Sequence, residues 1–114
     1  MTLKIENGQL FINEKPKCDT STLRLAQGNY KVVFEHSDTF NAIMPKLKGI
    51  SDHEEVLICW CRELCKLERS CAYCNSIRVG KRSTKGELID CRGVFNQLYE
   101  LIVRSRNDLM MEIN

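Results

Sequence analysis

Apolar and polar residues alternate at the start of the chain. Leu3 and Ile5 form one run, Leu10 and Ile12 a second, and Asn7-Gly8 lies between them. Alternation puts each run's apolar side chains on one face of a strand. Asn-Gly tolerates the positive φ angles of a tight type I′ turn, so residues 3–12 are predicted to form a β-hairpin. A second pair of strands is predicted from Leu23 and Leu25, a turn at Gln27-Gly28-Asn29, and the run Tyr30 to Glu35, whose β-branched and aromatic residues suit a pleated surface. Residues 36–55 carry Pro45, Gly49 and a polar "SDHEE" cluster, which reads as a long connection with one short element around Ile43 to Leu47. "EVLICWC" and "SIRVG" are apolar runs of strand length.

The period changes in the C-terminal third. Cys91, Val94, Phe95, Leu98, Leu101 and Ile102 recur as one face of an α-helix, with Glu100 and Arg104 four apart on the other. Asp90 is the expected N-cap and Asn107 the expected C′ residue. "DLMMEI" is predicted to be a final edge strand. The pattern as a whole predicts an α+β fold, mostly antiparallel β with one C-terminal amphipathic helix, in a single domain over residues 1–114.

Charge narrows the function classes. Seventeen basic and 15 acidic residues leave a net charge of +2, and the basic residues are spread along the chain, which argues against a nucleic-acid partner. Nowhere do about 18 apolar residues run consecutively, and the start has no signal-peptide h-region, so no membrane span and a cytoplasmic location are expected. In a reducing compartment the seven cysteines are expected to remain thiols. An odd number also suits a closed disulfide framework poorly.

Five of those cysteines crowd one stretch, as Cys59-x-Cys61-x3-Cys65-x5-Cys71-x2-Cys74. Zinc takes four thiolate or imidazole ligands in a tetrahedron, often from two closely spaced pairs. Cys61 with Cys65 and Cys71 with Cys74 are such pairs, although the spacer between them is shorter than the roughly 12 residues common in zinc modules. Cys59 and Cys61 share a face of their strand. Simple burial is the competing reading, because free cysteine packs as a small hydrophobe. Cys18 and Cys91, outside the cluster, are expected in the core.

"LRLAQGNYKVVFEHSDTF", Pro45, "EVLI", "SIRVGK" and the "FNQLYELI" helix together resemble a family of short bacterial and phage proteins. Their Gly-Cys-Ile-x-Val-Gly turn is similar to the Ser-His-Gly-Cys-Ile-Arg signature of the L,D-transpeptidases, β-rich enzymes that remodel peptidoglycan. The resemblance implies an L,D-transpeptidase-like β-rich core. In that chemistry a cysteine thiolate attacks a peptide carbonyl, a histidine takes the thiol proton, and backbone N–H groups hold the oxyanion. Placed on this chain, "YCNSIR" matches the signature at Ile77 and Arg78. Ser76 stands at the nucleophile position, Asn75 at the glycine and Cys74 at the histidine, while the upstream histidine falls at Cys59.

The resemblance therefore nominates Ser76, Cys74 and Cys59 as family-matched catalytic positions whose residue types have changed. A serine hydroxyl needs an oriented base, and the only histidines, His36 and His53, lie in or beside the long connection. Cys74 would gain thiolate character only beside a guanidinium such as Arg62, Arg69 or Arg78. The preferred reading is a non-catalytic module that binds a peptide-like ligand or protein. The alternatives are a zinc-stabilised interaction module built on Cys61, Cys65, Cys71 and Cys74, and a peptidoglycan-directed cysteine or serine transferase or hydrolase.

Overall fold

A computed structural model describes residues 1–21, 25–38, 40–49, 56–60 and 76–114. The predicted first hairpin is present as β1 (Thr2–Glu6) and β2 (Gln9–Ile12). Asn7 (φ 51°) and Gly8 (φ 75°) turn the chain with the two positive φ angles that a type I′ turn requires. The register Leu3↔Ile12 and Ile5↔Leu10 gathers the four apolar side chains on one buried face.

The next strand departs from expectation. Asn13 and Glu14, both at positive φ, reverse the chain into β3 (Lys15–Ser21), whose sequence KPKCDTS has no apolar alternation to announce it. β2 supplies the pairing instead. Of the strand expected at Leu23 and Leu25, Leu23 lies outside the described residues and Leu25 is not in a strand. Gly28, expected in a turn, opens β4 (Gly28–Ser37).

The long connection expected after His36 holds a full strand, β5 (Ala42–Lys48), antiparallel to β4 from Lys31↔Lys48 to Ser37↔Ala42. Pro45 suggested a loop. It is accommodated because, among the described residues, β5 has no continuous partner on its other side, where a missing N–H costs no ladder bond. Two further short strands, β6 (Ile58–Trp60) and β7 (Ile77–Arg82), lie parallel, and β8 (Leu88–Ile89) folds back on β7. Helix α1 (Cys91–Ile102) and a 3₁₀ turn (Val103–Ser105) precede β9 (Met110–Ile113).

The sheet order is β5-β4-β9-β1-β2-β3-β7-β6, with β8 on β7. β9 is therefore not an edge strand: it lies between β4 and β1, antiparallel to the first and parallel to the second. Its Met111 and Ile113 are as buried as Leu3 and Ile5, their partners on β1. The two ends of the sheet nearly meet. Lys46 of β5 forms a single bridge with Leu57, and the Leu47 N–H donates to the Val56 carbonyl at 2.9 Å. The result is a barrel-like, mostly antiparallel sheet with one C-terminal helix, the β-rich α+β class expected.

Where strand pairing fails at the β5–β6 seam, aromatic rings take over. Phe34, Tyr99, Phe95, Trp60 and Phe40 contact one another in series at centroid separations of 4.6–5.7 Å, in the tilted and edge-on arrangements aromatic pairs favour. The Tyr99 hydroxyl also donates to the Ile43 carbonyl on β5 at 3.2 Å.

Helix α1 buries Phe95, Leu98 and Ile102 in the core formed by Leu3, Leu10, Val32, Met111 and their neighbours. Leu101, assigned to the same face by periodicity, remains 39% exposed. Asp90 occupies the N-cap position in left-handed backbone and makes no side-chain capping bond. At the other end the helix runs into the 3₁₀ turn, and Asn107 is not in the left-handed region. Among the described residues Glu100 and Arg104 form no ion pair. Gly80 fixes the seat of the helix on β7, because a Cβ there would lie 3.0 Å from both Cys91 Sγ and the Ile89 carbonyl oxygen.

Candidate functional site

Of the family-matched positions, Ser76 and Cys59 are described and Cys74 lies outside the described residues. Ser76 immediately precedes β7 and is 1% exposed. Its Oγ accepts the Leu57 N–H at 3.2 Å, and the Ile77 N–H donates to the Leu57 carbonyl at 2.8 Å. The serine thus pins the chain entering β6 to the chain entering β7. Cys59 is fully buried in β6, in register with Arg78 of β7. Arg78 pairs on its other side with Ser21 of β3, whose Oγ accepts a guanidinium N–H at 3.2 Å. Ser21, Arg78 and Cys59 therefore form one row across three strands, and neither the Ser76 hydroxyl nor the Cys59 thiol is open to an incoming substrate.

The four cysteines assigned to zinc, Cys61, Cys65, Cys71 and Cys74, lie outside the described residues, as does His53. Among the described residues no three His, Cys, Asp or Glu side chains converge to hold a metal ion. Cys18 and Cys91 are free thiols. His36, expected in a loop, lies on β4, exposed, with Nδ1 3.4 Å from Asp38 Oδ1. No described helix is long and apolar enough to cross a membrane.

A groove that joins several polar side chains lies elsewhere among the described residues. A groove of about 630 Å³ is lined by Pro16, Lys17, Cys18 and Asp19 of β3, by Val94, Gln97, Leu98 and Leu101 of α1, and by Gln9, Lys81 and Asp90. Alternate residues of a strand point to opposite faces. Four consecutive residues lining one cavity mean that it meets β3 along its edge. The pairing agrees, because β3 pairs with β7 over Asp19, Thr20 and Ser21, and among the described residues no strand pairs with Lys15 to Cys18 on that side. Lys17 is also the extra residue of a β-bulge, since Leu10 pairs with Cys18 and Phe11 with Pro16.

Polar groups are concentrated at the end of the groove where β3 meets β7. Asp19 pairs with Gly80, and its Oδ2 accepts the Arg82 N–H at 2.7 Å. The Arg82 guanidinium, held by the carbonyls of Thr20 (2.6 Å) and Gly86 (2.8 Å), braces the same corner. Cys18 is a poor nucleophile here: burial first, and the neighbouring Asp19 carboxylate second, push its thiol pKa from 9.0 to about 12. Lys17, Lys81, Asp19 and Asp90 form no ion pair with one another.

Compared with known proteins, the chain matches no family model, no curated protein and no solved structure. The groove residues escaped the sequence reading because no motif links them. One signal was available. Pro16 flanked by Lys15 and Lys17 directly after a polar turn is the composition of a strand edge kept from pairing.

Proposed function

We propose that this chain is a non-catalytic binding module that takes a peptide-like ligand in the groove between β3 and α1. The observation that carries the reading is the contrast between two places. At the family-matched positions Ser76 and Cys59 are sealed, and the serine hydroxyl is committed to a backbone N–H. At the groove, amines, carboxylates, carboxamides and an exposed leucine line a cavity of ligand size. The L,D-transpeptidase-like scaffold is part of this proposal: β6 and β7, the two ends of the cysteine-rich stretch, would frame the family-matched positions, and the ligand groove lies apart from them.

Saturation-transfer NMR with an equimolar mixture of synthetic pentapeptides tests this. Peptide signals should be attenuated by wild-type protein, and the peptides should be recovered uncleaved. Leu101→Asp, at an exposed groove position, should abolish the transfer without changing Tm. Equal transfer to the variant, or cleavage of the peptides, would overturn the proposal.

A further inference from the structure

Asn7 is the only asparagine in the chain followed by glycine. The pair forms the loop between the paired Glu6 and Gln9, and both residues are exposed. Among the described residues the Gly8 N–H donates no hydrogen bond and the Asn7 carboxamide has no partner. Gly8 also has no side chain to hinder its own nitrogen. A nucleophilic nitrogen and an electrophilic carboxamide are therefore neighbours, and no hydrogen bond holds either.

On its other side the turn is tied to β3. The Thr20 N–H donates to the Gly8 carbonyl at 2.8 Å. A Cβ on Gly8 would lie 3.9 Å from both the Thr20 carbonyl oxygen and Arg82 Nη2, and the same guanidinium nitrogen donates to that carbonyl at 2.6 Å. Gln9, the next residue, pairs with Asp19, and both line the groove. A change in the loop therefore reaches the groove wall directly.

We propose that Asn7-Gly8 is a site of spontaneous covalent modification whose isoaspartyl product loosens the β2–β3 wall of the groove. Hydroxide removes the Gly8 amide proton, the nitrogen bonds to Asn7 Cγ, and the Cγ–Nδ2 bond breaks to release ammonia. Water then adds to one carbonyl of the cyclic imide and breaks that carbon's bond to the Gly8 nitrogen. Opening at Cγ leaves aspartate. Opening at the backbone carbonyl leaves isoaspartate, with the chain running through Cβ and Cγ. Water enters, ammonia leaves, and no electrons are transferred. The Arg82 guanidinium beside Gly8 favours loss of the amide proton, because a nearby cation stabilises the anion. Ring closure turns the Asn7–Gly8 peptide out of type I′ geometry, so conversion in the folded protein runs through local opening of the hairpin tip.

Aspartate leaves the backbone unchanged and suits the turn, since Asp-Gly also favours type I′. Isoaspartate adds an atom to the backbone of the loop, and turn type and loop length set hairpin register. The insertion acts on the Glu6↔Gln9 closure and the Gly8–Thr20 bond, the contacts that set Gln9 against Asp19. The reaction needs no ligand in the groove, so it stands or falls separately from the binding reading.

The test incubates ¹⁵N-labelled protein in mildly alkaline buffer, folded and in guanidinium, beside Asn7→Gly, whose Gly-Gly pair still suits a type I′ turn. Peptide mass mapping of the folded wild type should show the gain expected when an amide becomes a carboxyl, at Asn7, and more slowly than in guanidinium. An isoaspartyl-specific methyltransferase should label the converted peptide. Asn7→Gly should show neither change at this position. In the isoaspartyl fraction the amides of Gln9, Asp19, Thr20 and Arg82 should shift, and those of Val32 and Leu47 should not. A folded wild type that stays unconverted while the unfolded chain converts completely would overturn the modification site. Conversion with the Gln9, Asp19 and Thr20 amides unmoved would overturn its coupling to the groove.

Discussion

Replacing Gly80 with alanine tests how α1, one wall of the groove, is seated. The added Cβ would lie 3.0 Å from Cys91 Sγ, 3.0 Å from the Ile89 carbonyl oxygen and 3.2 Å from Leu88 Cβ. Two of these neighbours belong to the β8 segment that turns the chain into the helix. Gly80 is not at positive φ, so alanine brings no backbone strain there and gains about 0.4–1 kcal/mol by restricting the unfolded chain. Overpacking of this kind costs about 1–3 kcal/mol, and the net loss should be about 1–2 kcal/mol. Unfolding entropy scales with chain length, so for 114 residues each kcal/mol lowers Tm by about 4 °C. Gly80→Ala should therefore melt about 4–8 °C below wild type by circular dichroism. Adding Cys91→Ala should restore part of the loss, because it removes the sulfur but leaves the Ile89 oxygen in place. A Gly80→Ala protein that melts at or above the wild-type temperature would refute the close approach of β7 to the start of α1.

Ser76→Ala removes the acceptor for the buried Leu57 N–H and should cost about 1–3 kcal/mol in denaturant unfolding. Peptide binding should be unaffected, whereas a serine acting on a ligand would show the opposite pattern. The Cys18 thiol, at about 12 instead of 9.0, should carry about a thousandfold less thiolate at pH 8 than an ordinary thiol. Peptide-mapped iodoacetamide labelling should show it nearly inert in the folded protein and reactive in guanidinium. Because the folded state raises this pKa, the stability it contributes is complete below pH 9 and declines as pH rises toward 12.

The parts of the fold legible from sequence were those whose signal is local. Leu3, Ile5, Leu10 and Ile12 alternate about an Asn-Gly turn, and Phe95, Leu98 and Ile102 recur at helical spacing. Both patterns are where they were expected. β3 and β5 were missed because their strand character comes from neighbours: β2 imposes the extended form on KPKCDTS, and β4 does so on a segment containing Pro45. The central place of β9 depends on β1, about a hundred residues away in sequence, and no local pattern encodes it.

The site was harder to read for a related reason. Ser76 and Cys59 drew attention through a short motif, and the structure makes them a backbone anchor and a core residue. Lys17, Asp19, Lys81, Asp90 and Leu101 carry no motif. They come to line one groove only when β3 is set opposite α1, and that arrangement follows from Gly80 admitting the helix to β7.

The amide-shift map of the labelled protein with free-ended Ala-Ala-Leu-Ala-Ala tests the central claim most directly. Saturable shifts at Lys17 to Asp19, Lys81 and Val94 to Leu101, with Leu57, Cys59 and Ser76 unmoved, are the predicted result. Shifts centred on Leu57, Cys59 and Ser76 would contradict it, placing the ligand at the family-matched positions instead.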